Sequence, residues 1–160
     1  MNHPRWKVGT RSVHAINGSL LRDLFMSLRQ EAPPRPPTTI LVVDDQASTR
    51  ALLREALARR RGTVVLEAAD GEAALAIIEE QRPDVVLCDI QMQPVDGLTL
   101  LRVMRAHEDE RIRKMPVIIM SAVATREAVT AATKAGATSI LAKPISLRML
   151  AARLDAALGT

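Results

Sequence analysis

Beyond residue 37 the chain alternates between short unbroken apolar runs and longer segments with apolar residues at helical spacing. The runs are Ile40–Val43, Val64–Leu66, Val85–Cys88, Val117–Met120 and Ser139–Ala142. They are rich in β-branched residues and continuous rather than alternating, as in parallel strands covered on both faces. Ser139–Ala142 fits this criterion least well. Between the runs lie five segments with helix signals. One runs from Ser48 to about Arg60 with a stop at Gly62. Asp70 caps a second that reaches about Gln81, with Pro83 beyond it. A third starts near Gly97, Thr125 caps a fourth that ends at Gly136, and Ser146 caps a fifth. Five β-then-α units predict an α/β fold, a doubly wound five-stranded parallel sheet with helices on both faces.

The first 37 residues differ. Pro33, Pro34, Pro36 and Pro37 favour an extended spacer and exclude a helix or central strand there. Ahead of the spacer, Asn17 could cap a short amphipathic helix carrying Leu20, Leu21, Leu24, Phe25 and Leu28 on one face. We therefore divide the chain into an N-terminal extension, 1–37, and a main domain, 38–160.

Composition narrows the function classes. The net charge of +4 belongs to the extension, which has six basic and two acidic residues, while the main domain is neutral. A neutral domain offers no nucleic-acid face. The single cysteine, Cys88, excludes an internal disulfide and fits a reducing compartment; it reads as a small buried hydrophobe. No stretch reaches the roughly 18 apolar residues that span a bilayer, and no secretory apolar segment follows the N-terminus. A cytoplasmic protein with no membrane role is expected. Arg59–Arg61 and Glu108–Glu110 read as solvated charge, and His3, His14 and His107 as surface residues without metal-ligand spacing.

Ligands of open α/β sheets bind at the carboxyl ends of the strands. The first run ends in Asp44-Asp45, the third in Asp89, the fourth in Ser121, and Lys143-Pro144 follows the fifth. Three carboxylates crowded together repel, and a hard divalent cation such as Mg²⁺ relieves that. Lys143 adds a cation for a phosphate group, and Ser121 a hydroxyl donor. Asp89 could attack phosphorus and form an acyl phosphate. Taken singly, Asp44-Asp45 could be helix caps, Lys143 a surface charge, and Asp96-Gly97 a turn with a cap.

These motifs resemble those of the receiver domains of two-component response regulators. The resemblance rests on Ile40–Asp45 (ILVVDD), Asp84–Gly97 (DVVLCDIQMQPVDG), Val117–Ala122 (VIIMSA), Ala135-Gly136 and Lys143-Pro144, and covers about residues 38–158. It implies the flavodoxin-like strand order 2-1-3-4-5. It implies that Asp89 is the phosphoacceptor, Ser121 the switch hydroxyl and Lys143 the phosphate-binding lysine. It further implies Mg²⁺ held by Asp45, Asp89 and the backbone carbonyl of Gln91, with Asp44 acting through water. A cis Lys143–Pro144 bond is expected on the same basis. The chain departs from the family in three places. Ile140 stands where a Tyr or Phe is frequent, Ser121 replaces the commoner Thr, and Pro94 lies one residue later than usual.

The resemblance implies a signalling switch rather than an enzyme. A sensor histidine kinase or phosphotransfer protein would donate the phosphoryl group. Because the chain stops soon after the fifth helix, output through contact with another protein is expected. Pairing of two copies, through the N-terminal helix or the strand-four to helix-five face, stays open. The alternatives are a phosphorylation-independent scaffold and a phosphatase of the haloacid-dehalogenase type. The latter places Asp-x-Asp after its first strand, unlike the adjacent acids here.

Overall fold

The computed structural model describes residues 36–123 and 125–160, together with Ser19, 21–23 and Met26. The isolated N-terminal residues are helical. Asn17, Leu20, Leu24, Phe25, Leu28, Pro33, Pro34, His3 and His14 lie outside the described residues. Pro36–Thr160 form a unit of their own.

Five strands build it: β1 (Thr38–Val43), β2 (Thr63–Ala68), β3 (Val85–Asp89), β4 (Val117–Ser121) and β5 (Ser139–Ala142). They pair in parallel in the order β2-β1-β3-β4-β5. Among the described residues, the helices of this unit are α1 (Ala47–Ala58), α2 (Gly71–Gln81), α3 (Gly97–Arg105), α4 (Glu110–Lys114), α5 (Arg126–Lys134) and α6 (Leu147–Leu158). None is long and apolar enough to cross a membrane.

The unbroken apolar runs have the expected cause. Side chains alternate across a strand, so both sets must meet an apolar layer. Leu41, Val43, Val86, Cys88, Val117 and Ile119 pack with Ala74 and Ile78 of α2, Leu101 and Met104 of α3, and Ala132 of α5. Ile40, Val42, Val85, Leu87, Ile118 and Met120 pack with Leu53 and Leu57 of α1, and Leu150 and Leu154 of α6. β3 and β4 are buried throughout, whereas the edge strand β5 is only half covered. That explains its weaker signal.

Local signals set most helix starts. Asp70, Asp96, Thr125 and Ser146 each accept a hydrogen bond from the backbone N–H three residues on. Three sequence expectations need correction. Glu108–Glu110 is not simply a solvated loop: Asp109 caps α4 through the Arg111 N–H and pairs with Arg82. His107 is half-buried, and its Nδ1 accepts from the Asp109 N–H at 3.0 Å. Arg60 donates to Asp155 of α6 at 2.8 Å, so the Arg59–Arg61 run is not wholly solvated.

Candidate functional site

The strand order reverses direction between β1 and β3, and the loops after those strands diverge there. Register then decides which side chains meet. Val43 lies beside Cys88, Asp89 beside Met120, and Ser121 beside Ala142. Asp44, Asp89, Ser121 and Lys143 therefore emerge at one end of adjacent strands, as expected from the sequence. Asp45 joins them, because one carboxylate oxygen from each of Asp44, Asp45 and Asp89 falls within 4.8 Å of the others.

The acids are unequal. Asp44 is fully buried, Asp89 is 5% exposed, and Asp45 is exposed. Asp44 is not a helix cap. The residue before α1 is Gln46, which makes no side-chain cap bond. Asp44 Oδ1 instead accepts the Gln46 N–H at 2.9 Å, and its Oδ2 accepts from Lys143 Nζ at 2.8 Å. The same ammonium lies 3.2 Å from Asp89 Oδ2. One cation thus bridges two buried carboxylates contributed by different strands.

Electrostatics follow from that arrangement. Burial pushes the Asp89 carboxyl above its ordinary range, and the nearby Asp44 charge adds to the push. Lys143 and the Gln91 backbone N–H pull it down without cancelling the rise. Burial alone would lower the Lys143 ammonium. Its hydrogen bond to Asp44 and the two carboxylate charges outweigh burial and raise it, so it stays charged. The Cys88 thiol is driven far up, first by burial and then by Asp89 and Asp44, and is inert as a nucleophile.

The surrounding loops shape the opening. A cavity of about 440 Å³ beside the acids is lined by Asp45, Ile90, Gln91, Met92, Gln93 and Asp96. Lys143–Pro144 is cis, as expected, and so is Gln93–Pro94 at the displaced proline. The Ser121 hydroxyl donates to the Val123 carbonyl at 2.8 Å and accepts from the Val123 N–H at 3.2 Å. Two contributors to the site were not apparent from the sequence. A Cβ on Gly97 would overlap the Asp89 carbonyl oxygen, so the third helix can begin against the acid loop only at a glycine. The Asp96-Gly97 pair signals the turn and the helix cap that Asp96 supplies, but not the close approach to Asp89. The other contributor is Arg50, which donates to the Asp44 carbonyl.

Three hard carboxylates, two buried and one exposed, with one ammonium for partial compensation, suit a small oxygen-seeking dication that keeps some of its water. Residues 40–155 match the profile of the response regulator receiver domain. The chain belongs to that family. It is 33% identical over 120 residues to a probable chemotaxis protein CheY of Rhizobium etli, covering 75% of this chain and 92% of that protein. It is 38% identical over 122 residues to the response regulator MprA of Mycolicibacterium vanbaalenii, covering 76% of this chain but 51% of that protein. The chain thus spans about half the length of the MprA relative. Among solved structures, a putative response regulator from Chloroflexus aurantiacus superposes with a TM-score of 0.69 at 34% identity, over 78% of this chain and 99% of that one. Receiver domains are two-component signalling modules that work as phosphorylation switches and bind Mg²⁺ at an acidic pocket. They act with histidine kinases or phosphotransfer proteins and with downstream targets.

Proposed function

We propose that residues 38–160 form a phosphorylation-dependent switch whose acceptor is Asp89, with residues 1–37 an N-terminal extension to it. The carrying observation is the Lys143 ammonium shared between Asp44 and Asp89 at the carboxyl ends of the strands. In this reading Asp45, Asp89 and the Gln91 carbonyl hold Mg²⁺ directly, and Asp44 holds it through water. Bound there, the ion would neutralise charge on the acids and on an incoming phosphoryl group.

The chain's own residues do the rest. A carboxylate oxygen of Asp89 attacks phosphorus of a phosphohistidine on a kinase or phosphotransfer protein. An O–P bond forms and the N–P bond breaks; its electron pair stays on the imidazole, which takes a proton from solvent. Lys143 holds its charge throughout and is already within reach of the acceptor. The Ser121 hydroxyl serves a phosphoryl oxygen only by giving up the Val123 carbonyl. Phosphorylation is thereby coupled to the loop between β4 and α5. Ile140 supplies no aromatic ring to move, so the signal leaves through that loop. Output is contact with a downstream protein, and no substrate is turned over.

The test is incubation of the full chain with acetyl phosphate, with and without Mg²⁺, followed by intact-mass and peptide mapping. One phosphoryl group on Asp89, dependent on Mg²⁺, released by hydroxylamine and absent from Asp89→Asn, is the expected result. A labelled Asp89→Asn chain, or steady release of phosphate from generic phosphate esters, would remove this reading.

A further inference from the structure

The Asp44 carbonyl lies past the end of β1, while the first carbonyl bonded within α1 is that of Gln46, which accepts from the Arg50 N–H. Neither the strand nor the helix supplies the Asp44 carbonyl with a donor. Arg50 fills that gap from the first turns of α1: its Nη1 donates to the Asp44 oxygen at 2.8 Å. The guanidinium is braced from behind. Its Nε lies 3.5 Å from Glu67 Oε2, and Arg54 Nη1 holds the other Glu67 oxygen at 2.6 Å. Glu67 stands next to Val42 in the β1–β2 register, and the Asp44 N–H reaches the Ala68 carbonyl at 3.2 Å. The turn carrying both Asp44 and Asp45 is thus gripped at its main chain from the end of β2 and from α1.

A peripheral ion pair would be worth little. Arg50 differs from one, because its side chain is only 18% exposed and its strongest contact is to a backbone carbonyl. Its planar fork serves the carbonyl and the carboxylate from two separate nitrogens, where a lysine would have to reach both from a single atom. Asp45 is exposed, and its placement depends on the main chain beside it. We propose that Arg50, braced by Glu67, is a positioning residue that fixes the Asp44-Asp45 turn in its cation-holding shape. This inference rests on the metal site assigned above.

The sign of the effect separates positioning from simple charge. Removing a cation beside three carboxylates should tighten a dication if charge alone matters. Loss of positioning should weaken it instead. Titration calorimetry of the full chain with Mg²⁺ measures this directly, and the Asp45 amide resonance reports the turn before metal is added. Arg50→Met is expected to weaken Mg²⁺ about tenfold, in line with other residues that orient metal ligands. Arg50→Lys, which keeps the charge but not the fork, is expected to weaken it by less than that tenfold, as is Glu67→Gln. Both Arg50 variants should shift the Asp45 amide. Equal or tighter Mg²⁺ binding by Arg50→Met overturns the inference and leaves the metal site standing. Should that variant fail to fold, Arg50→Lys decides by the same criterion. A wild-type chain that binds no Mg²⁺ removes both the site and the inference.

Discussion

Lys143 Nζ and Asp44 Oδ2 meet at 2.8 Å, joining the residue after β5 to the residue after β1 although 99 positions separate them in the chain. Asp44 has no exposed surface, so this ammonium is its main compensation. Among the described residues, Lys143→Met leaves the buried charge with only the Gln46 N–H, and it should destabilise the metal-free domain by about 2 kcal/mol, less than a fully buried pair because Lys143 is partly exposed. Urea unfolding without Mg²⁺ checks this. Added Mg²⁺ should narrow the gap, since it supplies the missing positive charge.

Asp89 has the opposite balance. Its carboxyl is raised, chiefly by burial and also by Asp44, so between the unfolded carboxylate value of about 3.9 and the raised folded value the native state binds more protons than the unfolded state. Stability therefore falls as pH rises through that window and stays lower above it. Asp89→Asn removes the charge at similar shape. It should raise Tm of the metal-free domain at neutral pH by about 3 °C, roughly the shift of 1 kcal/mol in a domain of this size. Thermal melts of both proteins across the acid range should converge as Asp89 protonates.

Gly97 carries a steric prediction. A methyl there meets the Asp89 carbonyl oxygen and lies 3.0 Å from Cys88 Sγ, both on a buried strand. Gly97→Ala should cost about 2 kcal/mol by overpacking. It should also slow labelling by acetyl phosphate, because Asp89, the proposed acceptor, is pushed from its place. Denaturant midpoints and the labelling rate are the two measurements. A stability loss with an unchanged rate would mean that the helix moves instead of the acid.

The strands and the acid end of the sheet were legible because two simple physical rules govern them. Ile40–Val43, Val85–Cys88 and Val117–Met120 had to be apolar at every position to face two layers, and that pattern leaves few other foldings. Once they are parallel neighbours, Asp44, Asp89 and Ser121 must share an edge. What stayed hidden depends on side chains chosen by tertiary contact. α4 buries only Ile112 and offers no periodicity, so its capping residue Asp109 read as one more solvated acid. Arg50 and Arg105 are indistinguishable in sequence from the exposed arginines around them. The bond from Ser121 to Val123 is a choice of rotamer, which composition does not encode.

Arg105 gives the cleanest separation of stability from chemistry. It ends α3, and its guanidinium donates from Nε and Nη2 to the Gly136 carbonyl at 3.0 and 2.8 Å. Nη1 donates to the Met115 carbonyl at 2.9 Å and to that of Arg113 at 3.0 Å. Burial lowers its pKa, yet an arginine keeps its proton, so it remains a charged donor to carbonyls just before β4 and β5. Arg105→Met strips these carbonyls of their donor and should cost about 2 kcal/mol. Arg105→Lys should recover only part of that, because three hydrogens on one atom cannot reach both loops. These contacts lie before the strands, and the acids lie after them. The Asp89 labelling rate per folded molecule and the Mg²⁺ affinity should therefore match the wild type while the urea midpoint falls. A labelling rate that falls with stability would show that the α3–β5 clasp communicates with the acidic pocket.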